Sequence, residues 1–144
     1  MIPLLVDGKT FDLLELVNLR APKVMTYFPY ARLAYSDDKV QSYQIEGVEV
    51  FGLPAAPMSL TFKDGILMGV HFIYEIKANE HSRFRLYRHQ RRTVKAVSSA
   101  IKKRAKRPNH KERLRIWEND NIVISYDIFQ RISLEETIKI IWKK

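Results

Sequence analysis

The residue types able to do chemistry are scattered along this sequence. Histidines stand at His71, His81, His89 and His110. Two helical histidines share a metal when they are four apart, because both imidazoles then leave one face. His81 and His89 are eight apart, and His89 lies among Arg88, Arg91 and Arg92, whose charge repels a cation. Both read as exposed helix histidines. His71 alternates with Val70 and Phe72, so it points away from a packed face. The adjacent acids Asp37-Asp38 and Glu135-Glu136 project in different directions on a strand or a helix, so adjacency makes neither an acid–base pair. The first pair reads as a turn, the second as a solvated loop or a helix first turn. Glu46, Glu49, Lys63 and Asp64 lack the acid-x-Lys order of a metal-dependent nuclease, since Lys63 precedes Asp64. Ser98 and Ser99 have no glycine elbow around them, and no glycine-rich phosphate loop is present. Zero cysteines exclude thiol catalysis, disulfides and sulfur-ligated zinc. No catalytic, metal or cofactor residue is assigned, and the expectation is a non-enzymatic protein; a diffuse active site would leave no pattern to read.

What stands out is charge. The segment from Arg83 to Arg115 holds fourteen Lys or Arg and a single acid, Glu112. The rest of the chain holds eleven basic and fifteen acidic residues, so a mildly acidic body carries one strongly basic segment within a total of +9. The expected anion-binding residues are Arg85, Arg88, Arg91, Arg92, Lys95, Lys102, Lys103, Lys106 and Arg107. Arginine dominates the first half, and its planar fork suits bidentate phosphate contacts. Nucleic acid is the common partner of such a surface, because Lys and Arg displace counterions from phosphates. An acidic protein surface is the other partner this charge suits. Anionic lipid would need the apolar face of the helix free, and here the core needs that face. A second reading is a solvated helix face neutralised by the acids of the same chain. Against it, like charges at i, i+4, such as Arg88/Arg92 and Arg91/Lys95, repel without an acid between them.

These residues need elements to position them. Residues 80–105 predict the longest helix: seven of the basic side chains fall within about 120° of one another at the helical period. Leu86, Tyr87, Val94, Val97 and Ile101 gather on the opposite side, and Pro108 stops the run. Residues 10–19 predict a short helix capped by Thr10, with Leu13, Leu14, Leu16 and Val17 as its apolar face. Residues 24–36 read as strand and turn. Gln41 to Phe51 is strand-like, and Met58 to Phe62 alternates as a half-buried strand does. Asp64-Gly65 signals a hairpin into a long strand from Ile66 to Ile76. Arg113–Trp117 and Ile122–Ile128 form a second hairpin, and Thr137–Trp142 a last strand, unless Leu134-Glu135-Glu136 opens a C-terminal helix. The expected class is α+β: an antiparallel sheet with one long amphipathic helix, about 80–105, and a short N-terminal helix packed on one face.

The 144 residues fit one domain, 1–144, with ordinary globular composition and no apolar run of about 18 residues. The start carries no visible secretory signal, which leaves the compartment open between the cytoplasm and, had a leader been removed, the cell envelope. Oligomeric state is not legible.

Phe51-Gly52-Leu53-Pro54, then Met58 to Leu67, then Val70-His71-Phe72, resembles the hairpin of the small bacterial BamE-like (SmpA-like) two-layer α+β domains, over about residues 47–128. The resemblance implies a cell-envelope scaffold or inhibitor-like domain without catalysis. Such a domain would bind a protein through its sheet and its aromatic loops, with Tyr27, Phe28, Tyr30 and Tyr35 as anchors.

Overall fold

In a computed structural model describing residues 1–108, 113–130 and 134–143, the chain opens on a hairpin where the sequence predicts a helix. Strand β1 (Pro3–Val6) pairs antiparallel with β2 (Lys9–Asp12). The turn residues Asp7 and Gly8 have φ of 50° and 76°. Positive φ at both central residues matches the twist of a two-residue hairpin. Thr10 is therefore a strand residue opposite Leu5 and caps nothing. Asp12 takes the capping role, accepting the Leu14 amide at 3.1 Å and opening a 3-10 helix, Leu13–Asn18. Leu13 and Leu16 are its buried residues, and their spacing of three is the 3-10 period. The expected N-terminal helix over 10–19 is thus replaced by strand and 3-10 turn.

The expected class changes with it, from α+β with helices layered on one sheet face to mostly antiparallel β. The chain divides into two compact units, Met1–Phe72 and Ile73–Lys144. In the first, a second 3-10 turn (Ala21–Lys23) leads into α1 (Val24–Tyr27), a single turn, and the strands β3 (Arg32–Ser36), β4 (Val40–Val50), β5 (Ala56–Lys63) and β6 (Ile66–Glu75) follow, the last continuing into the second unit. The strand order is β2-β1-β4-β5-β6, with β3 pairing the start of β4. Ala56, Met58, Leu60 and Phe62 alternate inward along β5. The β5–β6 turn is the expected Asp64-Gly65, again at positive φ. A bulge near Thr61 and Phe62 shifts the β6 register, so Leu67, Val70 and Phe72 are all buried. His71 lies opposite Ser59, off that packed face as the alternation implies.

In the second unit α2 (Arg83–Ile101) is followed by β7 (Arg115–Glu118), β8 (Ile122–Gln130) and β9 (Leu134–Trp142), paired as β7-β8-β9. The last element is thus strand throughout, and Glu135-Glu136 opens no helix. Helix α2 is shorter than the expected 80–105. Ser82 caps it, accepting the Arg85 amide, and Lys102 ends it in the left-handed region at φ 57°. The stop precedes Pro108 by a full turn and a half, so proline is not its cause. After it the chain is tied to β7 by reciprocal Lys106–Ile116 backbone bonds of 2.7 and 2.9 Å. Thr93 and Val97 of α2 are buried, and the indole N–H of buried Trp117 donates to Ser98 Oγ at 3.0 Å. Ile122, Ile124, Tyr126 and Ile128 of β8 alternate inward with Leu134, Glu136, Ile138 and Ile140 of β9.

Candidate anion-binding surface

Helix α2 contains no Asp or Glu in its 19 residues. Its Thr93/Val97 face is inward, which turns Arg85, Arg88, Arg91, Arg92 and Lys95 to solvent, all five exposed. Lys102, Lys103, Lys106 and Arg107 are exposed too, but they belong to the turn after the helix. The structure therefore splits the predicted residues into a helical group of five and a turn group of four. His110, Lys111 and Glu112, the remaining members of the basic run's loop, lie outside the described residues.

Few of these charges meet an acid. Among the described residues, the ion pairs are Glu80 with His89, Glu136 with His89 and Arg92, and Glu118 with Lys143. Of the nine predicted side chains only Arg92 takes part, at 3.8 Å from Glu136. Lys103 Nζ donates to the Glu118 backbone carbonyl at 2.9 Å, and the Arg88 guanidinium stands 5.1 Å from the centre of the Phe84 ring. Tyr87, expected on the core side, is instead 60% exposed, and Phe84 is 67% exposed. The apolar stripe is narrower than expected, because Thr93, Val97 and the Ser98–Trp117 hydrogen bond already fill the seam with the strands.

Beneath the first half of this face lies a polar layer absent from the sequence expectations. Glu136, 1% exposed, occupies an inward slot of β9. Its Oε1 accepts the hydroxyls of Thr93 and Tyr126, both at 2.8 Å. Its Oε2 faces Arg92 Nη2 and His89 Nδ1, each at 3.8 Å. His89 Nε2 donates to Glu80 at 2.7 Å, and Arg92, which can only donate, lies 3.4 Å from Nδ1. The hydrogen bond from His89 holds the Glu80 carboxyl below the usual carboxylate range. Burial, reinforced by the Glu136 charge, pushes the hydroxyls of Tyr126 and Tyr74 well above the ordinary tyrosine range. The buried Tyr74 hydroxyl has no hydrogen-bond partner among the described residues.

His89 is thus not an exposed helix histidine, and Glu136 is neither solvated nor helical. Two signals were available for them. Arg85, Arg88, His89 and Arg92 follow i, i+3, i+4, i+7, one helix face. Strict alternation from Leu134 to Ile140 puts Glu136 on the apolar side of its strand. Glu80, Arg85, Arg88, His89 and Arg92 line a cavity of about 250 Å³. Among the described residues no His/Asp/Glu cluster is placed to hold a metal ion, and no helix is long and apolar enough to cross a membrane.

Of the aromatic anchors expected in the first unit, Tyr27, Tyr30 and Tyr35 are exposed, whereas Phe28 is buried with its ring 5.0 Å from that of Phe11. No family model matches the chain, and neither a curated protein nor a solved structure is significantly similar to it. The BamE-like resemblance therefore rests on its hairpin pattern alone.

Proposed function

We propose that the Ile73–Lys144 unit is a non-enzymatic module that binds single-stranded nucleic acid through the solvent face of α2 and the turn after it. The observation that carries this reading is an acid-free helix exposing six Arg or Lys side chains beside two exposed rings, Phe84 and Tyr87. The charges alone would suit an acidic protein as well. The rings favour nucleic acid, because unpaired bases stack on aromatic faces while guanidiniums track the phosphates. Turn residues Lys102, Lys103, Lys106 and Arg107 extend the positive surface past the helix end.

Fluorescence anisotropy with a labelled single-stranded oligonucleotide over a salt series tests the reading. Binding should weaken steeply with salt. Replacing Arg91, Lys95 and Lys102 by Gln should flatten the log–log salt slope by about two, at roughly 0.7 for each phosphate no longer neutralised. Replacing Phe84 and Tyr87 by Ala should weaken binding at every salt without changing the slope. Absence of binding at low salt, or an affinity indifferent to the three charge changes, would overturn it.

A further inference from the structure

We infer that the cavity on the first half of α2 is a site for a single phosphate monoester group. The inference deepens the nucleic-acid reading, since it uses the same helix, but it stands on a separate feature: a partly open pocket lined by residues of its first half.

The argument begins with spacing. Arg85, Arg88 and Arg92 lie at i, i+3 and i+7, so three guanidiniums rise from one face within two helical turns. All three line the cavity with His89 and Glu80. Neither Arg85 nor Arg88 takes part in an ion pair among the described residues, so their forked donors are available. Arg92 keeps most of its five donors, because Glu136 is at 3.8 Å and His89 at 3.4 Å. Glu80 is the carboxylate at the rim, and its charge is engaged by His89 at 2.7 Å. Set against Glu80 and the buried Glu136, the three guanidiniums still leave the pocket net positive, with a concentration of forked N–H donors. That favours a dianion, with several acceptor oxygens, over a carboxylate or a monoanionic diester.

The layer beneath supplies the second argument. Buried Glu136 lies behind Arg92 and His89 and is itself fixed by Thr93 and Tyr126. Phe84 lies against Arg88 from the other side. Groups held in place before binding lose less side-chain entropy when the ligand arrives. Among the described residues no such layer fixes Arg91 and Lys95, which suit sequential, interchangeable backbone phosphates. The terminal phosphate of a strand and a free phosphorylated small molecule share the monoester chemistry.

The test uses the full chain with inorganic phosphate and with one single-stranded oligonucleotide carrying a 5′ phosphate, a 3′ phosphate or neither. The His89 imidazole resonances report on the pocket. Inorganic phosphate should shift them in the wild type and leave them unmoved in Arg88→Gln. One phosphorylated oligonucleotide should bind about tenfold or more tightly than the hydroxyl form, the difference expected for a charged hydrogen bond. Arg88→Gln should erase that preference, Arg88→Lys should restore part of it, and Arg91→Gln should weaken all three oligonucleotides equally. Arg88 is exposed, so a thermal melt should show each variant folded. If phosphate shifts His89 but no oligonucleotide binds, the pocket stands with a small monoester as its ligand, and the nucleic-acid reading falls. If all three oligonucleotides bind alike and phosphate leaves His89 unmoved, the pocket inference is overturned while the nucleic-acid reading survives.

Discussion

Glu136 shows how much one residue can organise. A carboxylate on the apolar side of a strand is costly unless its oxygens are satisfied. Here Thr93 and Tyr126 satisfy one oxygen, while Arg92 and His89 face the other. Removing the carboxylate leaves two hydroxyls and a guanidinium facing a cavity. Glu136→Ala should therefore cost about 2–6 kcal/mol of stability, at roughly 1–3 for each of the two buried hydroxyls left without an acceptor. Glu136→Gln keeps an acceptor for the hydroxyls and should cost less. Urea unfolding of the two variants checks the order, and equal losses would mean that the negative charge, not the acceptor for the two hydroxyls, carries the contribution. The identities of these residues were readable; their meeting was not. Thr93 and Glu136 are 43 positions apart, and no local pattern pairs a helix with a strand at that distance.

At the scale of elements, α2 sacrifices helix stability to keep its charge. Its first turn is all basic or apolar, at the end where the helix dipole favours acids. Ser82 accepts the Arg85 amide, which is half of a capping box; the other half would be Glu or Gln at position 85. Arg85→Glu should thus complete the box and raise stability by about 0.5–1 kcal/mol, read as a higher melting temperature. The same change should weaken oligonucleotide binding. A variant that loses both stability and binding would show instead that Arg85 is structural. The amphipathic pattern placed this helix correctly in the chain and predicted its basic face. Its ends were misjudged by several residues, because Lys102 adopts a left-handed conformation that periodicity does not encode. The N-terminal element was misread for a related reason. Leu13 to Val17 carries the apolar density of a helix, but the Asp7-Gly8 turn pairs β1 with β2 first and leaves only a 3-10 turn.

For the molecule as a whole, the charge asymmetry follows the division into units. Met1–Phe72 holds six basic and eight acidic residues; Ile73–Lys144 holds nineteen and eight. A polyanion should be drawn to the second unit alone. Lys9→Gln, Lys39→Gln and Lys63→Gln together should leave the salt slope of oligonucleotide binding unchanged, in contrast to the three changes on and after α2. An equal flattening would place the binding surface elsewhere on the molecule. The exposed Tyr27, Tyr30 and Tyr35 of the first unit should likewise leave this binding untouched.

Alone, the sequence determined the strands of the central hairpin, the long helix and its acid-free face. Those depend on alternation, on Asp64-Gly65 and on the 3.6-residue period, all local quantities. It determined as well that the basic run carries more than the whole net charge. Only the tertiary structure decided that most of those charges are unpaired among the described residues, that Phe84 and Tyr87 face solvent, and that His89 and Arg92 rest on a buried carboxylate. The reason is physical: exposure and ion pairing depend on which distant segments a face meets. A strand residue such as Glu136 gains its role from the helix packed against it, not from its neighbours in the chain.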